Sequence, residues 1–78
     1  VDLTPKEYEL LKYFIQNKNI ALSRETILSN IWGYDFYGDE RTVDTHVKTL
    51  RNHLGRYRDN ICTVRGMGYK FNENKKNE

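Results

Sequence analysis

A mainly α-helical domain ending in a small β-hairpin is the fold this sequence predicts. Three features carry the prediction: helix-start signals at Thr4 and Ser23, a long two-faced segment from Arg41 to Leu54, and a change to β-rich, glycine-punctuated sequence over residues 61–71. At 78 residues there is room for one small domain with a modest core and not for two. The expected domain covers residues 1–71. Residues 72–78 hold no apolar side chain and are expected to form a disordered tail.

In Leu3-Thr4-Pro5-Lys6-Glu7-Tyr8, Thr4 is placed to cap a helix and Glu7 to complete a capping box. Pro5 suits the first helical position, where an N–H would have no partner. Leu3 and Tyr8 have the spacing of a hydrophobic staple. Tyr8, Leu11, Phe14 and Ile15 then give an apolar stripe with Leu10 on its flank, and the helix should fade near Gln16 into a turn at Asn17-Lys18-Asn19. Ser23 starts a second, short helix with Leu22 and Ile27 as its staple. Ile27, Leu28, Ile31 and Trp32 form its buried stripe, and it stops by Gly33. The connector Tyr34-Asp35-Phe36-Tyr37-Gly38 is rich in aromatics and turn formers. Asp39 is the expected cap of a third helix and Gly55 its αL terminator. Beyond it, Ile61–Arg65 and Tyr69-Lys70-Phe71 read as strands joined by Gly66-Met67-Gly68, with glycines where positive φ is expected.

The third helix is the most informative segment. At about 100° per residue, Val43, Val47, Leu50 and Leu54 fall within about 60° of one another. Arg41, Thr45, Lys48 and Asn52 gather on the opposite side, with Thr49 at its margin. The first face suits a core. The second carries cations, hydroxyls and an amide, the groups that hydrogen-bond phosphates and base edges. Charge is divided the same way. Residues 1–40 hold four Lys/Arg against seven Asp/Glu, whereas residues 41–71 hold seven against two. A net charge of only +2 thus conceals a positive potential on the third helix and the hairpin.

Three helices followed by a hairpin is the order of a winged helix-turn-helix. Its third helix enters the major groove of duplex DNA and its hairpin wing reaches an adjacent groove or backbone. In that setting Thr45 and Thr49 meet thymine methyls or hydrogen-bond base edges. Asn52 suits adenine but lies far along the helix, and Arg41 and Lys48 are better placed for phosphates. Arg65, just before the glycine turn, suits a narrow, electronegative minor groove, with Thr63 on the same strand face. The competing role for Arg65 is an ion pair with Asp59 or Asp44. The alternative function is a winged-helix module whose third helix docks a protein partner such as RNA polymerase. That version calls for an apolar outward face, which Arg41, Thr45, Lys48 and Asn52 do not provide.

Other function classes find little support. No apolar run approaches the roughly 20 residues of a membrane span and no signal-peptide pattern opens the sequence, so no membrane partner is expected. The single Cys62 fits a reducing, cytoplasmic compartment and reads as a small packed side chain. No nucleophile is paired with a base, and no phosphate-cradling loop precedes a helix, so neither catalysis nor a cofactor is expected. His46 and His53 share a helix edge without further ligands for a metal, and His46 is better read as a phosphate donor. Trp32 is a core plug whose indole N–H needs a partner, for which a phosphate is one candidate.

The stretches LTPKEYELLKYF (3–14), LSRETILSNIWG (22–33), RTVDTHVKTLRNHLG (41–55) and ICTVRGMGYKF (61–71) together resemble the C-terminal effector domain of OmpR/PhoB-type response regulators. RTVDTHV combined with TVRGMGY is the specific part of the resemblance. It implies a winged-helix transcription factor that binds tandem half-sites of double-stranded DNA head to tail, with the isolated domain a monomer. It also implies control by phosphorylation of an attached receiver domain in a two-component phosphorelay. By position, the family's phosphate contacts fall on Trp32, Arg41, Thr42, His46, Lys48, Arg51 and Tyr69, and its base or groove contacts on Thr45, Thr49, Thr63 and Arg65. Thr49 stands where some members carry arginine, so no guanine preference carries over. The loop from Gly33 to Asp39, with Tyr34, Asp35, Phe36 and Tyr37, corresponds to the family's RNA polymerase-contacting loop. The family's opening antiparallel sheet, beyond Val1-Asp2-Leu3, and the receiver domain have no counterpart here, so the sequence reads as a fragment of a longer regulator.

Overall fold

The computed structural model describes residues 3–73 apart from Asp35 and Tyr37. The chain runs α1 (Pro5–Gln16), β1 (Ala21–Ser23), α2 (Arg24–Ile31), α3 (Arg41–Leu54), a 3₁₀ turn (Gly55–Asn60), β2 (Ile61–Val64) and β3 (Gly68–Phe71). The expected hairpin is therefore two strands of a three-stranded antiparallel sheet. β3 is central, and its Tyr69 lies between Leu22 of β1 and Thr63 of β2. A strand of three residues is too short to show alternation, which is why β1 escapes a periodicity search.

α1 starts as its sequence dictates. Thr4 Oγ1 accepts from the Glu7 N–H at 3.2 Å and Glu7 Oε1 accepts from the Thr4 N–H at 2.9 Å. The buried face differs from the expected one. Glu7, Leu10 and Phe14 point inward, while Tyr8 and Ile15 are 59% and 47% exposed. The stripe is turned by most of one residue's rotation of about 100°. The cause is Glu7: the capping box and His53 Nδ1, 3.1 Å from Oε1, hold a carboxylate at a position that hydrophobicity alone assigns to solvent. Leu3 packs against the core, so the staple expected between Leu3 and Tyr8 leaves Tyr8 outside.

Ser23 caps α2 by accepting from the Thr26 N–H at 3.0 Å. At the start of α3 the capping residue by position is Glu40, which makes no side-chain cap bond. Asp39, one residue earlier, supplies it, its Oδ1 accepting from the Arg41 N–H at 2.8 Å. Gly55 ends the helix at φ 59° and ψ −121°, a positive-φ glycine conformation outside the αL well.

Every α-helix and strand contributes to one core. Leu10 and Phe14 come from α1, Leu22 from β1, Ile27 from α2, Val43, Val47 and Leu50 from α3, Ile61 from β2 and Tyr69 from β3. Chain expected in the tail also belongs to the fold. The Asn72 N–H donates to the Asn60 carbonyl at 2.7 Å, and Glu73 pairs with Lys18 at 3.1 Å. The rest of that expected tail, residues 74–78, lies outside the described residues. No helix among the described residues is long and apolar enough to cross a membrane.

Candidate nucleic-acid interface

α3 buries Val43, Val47 and Leu50 and leaves Arg41, Thr45, Lys48 and Asn52 exposed, with Thr49 half-buried at the margin. The β2–β3 wing lies along one side of this polar face. Asp44 and Arg51 are seven residues apart and so share one line of the helix, and both reach the wing. Arg51 Nε and Nη2 donate to the Ile61 carbonyl at 3.0 and 2.6 Å, and Nη2 also donates to Thr63 Oγ1 at 3.0 Å. The Tyr69 hydroxyl donates to Asp44 Oδ1 at 2.6 Å. A cleft of about 290 Å³ is lined by Arg24, Asp44 and the wing segment Thr63 to Tyr69. The glycine-tipped ribbon thus stands beside the polar face of α3.

β2 stops one residue short of its expected limit and β3 begins one residue early, at Gly68, so Arg65 sits in the turn itself with Gly66 and Met67. Gly66 has φ 77°, as its place in the turn demands. Gly68 does not use its conformational freedom. A Cβ there would run into the Leu22 carbonyl oxygen, so its smallness is what lets β1 approach β3.

The cations around the face fall into two groups. Lys48 and Arg65 are exposed and have no hydrogen-bond or ion-pair partner among the described residues. The pairing of Arg65 with Asp44 or Asp59 is therefore not formed, and Asp44 is already engaged by Arg24 Nη1 at 3.0 Å. Arg41 and Arg51, by contrast, have partners. Arg41 donates to Asp39 Oδ2 through Nε at 3.1 Å and Nη2 at 3.0 Å. The hydrogen bonds from Arg41 hold the Asp39 carboxyl below its ordinary pKa, and those to Asp39 hold the guanidinium above its own.

The remaining side chains are placed as follows. Thr49 Oγ1 donates to the Thr45 carbonyl at 3.0 Å, while the Thr45 hydroxyl has no partner among the described residues. His46 Nδ1 lies 2.9 Å from the Thr42 carbonyl oxygen; a carbonyl only accepts, so Nδ1 carries the hydrogen and Nε2 is left over. Thr42 is half-buried in the first turn of α3 and Thr63 is exposed on β2. Trp32 is half-buried, met edge-on by the His46 ring at 4.9 Å and approached by Lys6 Nζ at 5.5 Å from its centroid. Phe36 leans on Trp32 with centroids 6.1 Å apart, and Tyr34 is 91% exposed. Asp35 and Tyr37, read as part of the same loop, lie outside the described residues. Tyr69 is only 8% exposed, and burial first, then its bond to Asp44, push its hydroxyl up to about 12. It remains a neutral donor. Sequence reasoning gave no role to Arg24 and offered Asp44 only as a partner for Arg65. The available signal was Asp44 itself, an acid in a basic segment, lying between the core stripe and the polar face of α3.

A family model described as "Transcriptional regulatory protein, C terminal" matches residues 1–71. The chain is 55% identical over 75 residues to the transcriptional regulatory protein SrrA of Staphylococcus aureus, covering 91% of this chain and 31% of that protein. It spans about a third of the length of the curated relatives it matches. Among solved structures it is similar to the DNA-binding domain of Bacillus subtilis CssR, with TM-score 0.81 and 39% identity over 90% of this chain and 77% of that one. It is likewise similar to the DNA-binding domain of the response regulator AdeR in complex with an intercistronic region, with TM-score 0.81 and 28% identity over 94% and 74% of the two chains. Helix order, wing and family match agree: the chain belongs to the C-terminal domains of transcriptional regulatory proteins, the winged-helix effector domains of OmpR/PhoB-type response regulators, which are regulators and not enzymes.

Proposed function

We propose that this chain binds duplex DNA sequence-specifically as the effector part of a two-component response regulator, with α3 in the major groove and the wing turn at the adjacent minor groove. One observation carries the proposal: the uncovered polar face of α3 lies beside a wing whose Arg65, like Lys48 on the helix, has no protein partner among the described residues. Cations without protein acceptors are the groups that neutralise phosphates and release counterions. Thr45 and Thr49 face the bases, with Asn52 toward the end of the reach; Thr63 and Arg65 serve the minor groove. Lys48, Thr42, His46 and Arg41 serve phosphates, Arg41 exchanging Asp39 for one. Trp32, Arg51 and Tyr69 complete the phosphate-contacting set, Arg51 also holding the wing strand and Tyr69 bonded to Asp44.

In the whole regulator, phosphorylation of a receiver domain would bring copies onto tandem half-sites head to tail, a contact that is not isologous. The isolated domain is then a monomer, acting on the chromosome in the cytoplasm. The loop of residues 34–37 is assigned to RNA polymerase, supported by the 91% exposure of Tyr34. Tyr34→Ala should lower transcription and leave DNA affinity unchanged.

Selection of bound duplexes from a random pool, followed by anisotropy titration at two salt concentrations, tests the main proposal. A selected duplex should bind more tightly than a scrambled one, and affinity should fall with salt. Lys48→Ala should weaken both duplexes alike and reduce the salt slope by about 0.9, whereas Arg65→Ala should weaken chiefly the selected one. Equal affinity for both duplexes together with indifference to salt would overturn it.

A further inference from the structure

His46 carries a constraint that the other groups assigned to phosphates do not. Lys48, Arg41 and Arg51 bring permanent cations and Thr42 a hydroxyl, whereas an imidazole nitrogen donates only when it holds a hydrogen. Which nitrogen holds it is fixed by geometry. His46 Nδ1 lies 2.9 Å from the Thr42 carbonyl oxygen, one turn back on α3. Two lone pairs at that distance repel, so Nδ1 carries the hydrogen. Turning the ring over would put Cδ2 against the carbonyl and forfeit the bond, and the Trp32 indole meets the ring edge-on at 4.9 Å. In the neutral imidazole Nε2 is then a bare lone pair. A phosphodiester oxygen only accepts. Nε2 can reach a phosphate with a hydrogen bond only if it too is protonated and the ring is an imidazolium.

Nothing in the fold supplies a counter-charge for that imidazolium. The residues that share its side of α3 one turn away are Thr42, Val43, Thr49 and Leu50, none of them charged. Asp44 and Lys48, two positions to either side, are turned well away from it at about 100° per residue. His53 lies on the same line two turns on, where it meets Glu7. After α2 the ring meets Trp32, and Phe36 of the connector leans on that indole from elsewhere. From α1 the charged group on this side is Lys6, 5.5 Å from the Trp32 centroid and paired with Glu9 at 3.3 Å. Among the described residues His46 has no ion pair, so a bound phosphate is what favours the second proton. We propose that binding of duplex DNA takes up one proton at His46, so that the affinity of this domain for DNA rises as pH falls through the range in which histidines titrate. The inference rests on the DNA-binding function proposed above and concerns the regulation of that site. The sign follows from linkage: the complex holds a proton that the free protein gives up as pH rises, so affinity is lost toward alkaline pH, by at most about tenfold per pH unit for one proton.

The test is an anisotropy titration of the pool-selected duplex at constant ionic strength, from about pH 8 to about pH 6, where histidine changes charge. The duplex is made without terminal phosphates, which titrate in the same range. Affinity should rise roughly three- to tenfold across the interval. His46→Gln offers an amide N–H that donates at every pH and takes up no proton, so its affinity should vary by less than about twofold. His53→Gln alters the other histidine of the sequence, which lies outside the proposed contacts, and should keep the full pH dependence. Ring-proton NMR of His46 in the unmodified protein needs no variant: the imidazole should be charged in the complex at a pH where the free protein still holds it partly neutral. Affinity that is flat with pH, a pH slope that survives His46→Gln unchanged, or a neutral His46 ring in the complex would each overturn the inference. Failure to bind any duplex at either pH would overturn the DNA-binding function and the inference with it, a result distinct from tight binding that ignores pH.

Discussion

Asp39 holds the Arg41 guanidinium through two hydrogen bonds in open solvent, and in the proposed complex a DNA phosphate would have to replace it. Asp39→Asn keeps an oxygen for the Arg41 N–H, so the start of α3 is preserved, and removes the competing charge. DNA affinity should rise about two- to fivefold at low salt, with the gain shrinking as salt screens the exposed groups. Anisotropy titrations at low and high salt check this; unchanged affinity at low salt would remove Arg41 from the contact set. The two wing glycines show how far single residues were legible. Gly66 was readable because a tight turn asks for positive φ. Gly68 has its reason in β1, which the sequence does not reveal as a strand. Gly68→Ala should therefore destabilise by about 1–3 kcal/mol in a denaturant melt, as overpacking does.

At the level of elements, legibility follows the strength of contrast between faces. α3 was readable on both sides because valines and leucines alternate with cations and hydroxyls at helical spacing. α1 was readable in its ends and not in its phase. Thr4, Pro5 and Glu7 announce the start, but Glu7 also lies on the buried face, and a scale that counts apolar residues turns the stripe toward Tyr8 and Ile15. Leu10→Ala should accordingly cost about 2–5 kcal/mol, while Ile15→Ala should cost under about 1 kcal/mol. Thr4→Ala should cost about 1 kcal/mol through the lost cap. Thermal or urea melts of the three variants rank them, and an Ile15 effect as large as that of Leu10 would return α1 to its expected phase. The polar face of α3 was visible in sequence for the same reason of contrast. The commitments of Arg51 and Tyr69 were not, since they depend on where the wing packs in three dimensions.

Across the whole molecule, an acidic first half and a basic second half share one core, and one of the ties between them is a carboxylate–imidazole contact. Glu7, 1% exposed at the start of α1, meets His53 from the last turn of α3 at 3.1 Å. The Thr4 N–H, above all, and then His53 hold the Glu7 carboxyl below its ordinary 4.5, against the opposing effect of burial. The sign of the linkage follows. The unfolded chain takes up the Glu7 proton at higher pH than the folded chain does. The stabilisation is thus fully present above pH 4.5 and is lost as pH falls through the lower folded value. Glu7→Gln keeps an oxygen for the Thr4 N–H but has no charge to lose. At neutral pH it should be less stable by about 1–3 kcal/mol, the range for a buried charge-assisted hydrogen bond. Its stability should also fall less steeply on acidification, so the two curves converge below pH 4.5. Melting temperatures of both proteins across the acid range make the comparison. Parallel curves would show that other carboxylates govern acid unfolding, and that the tie between the two halves of the chain does not depend on the charge of Glu7.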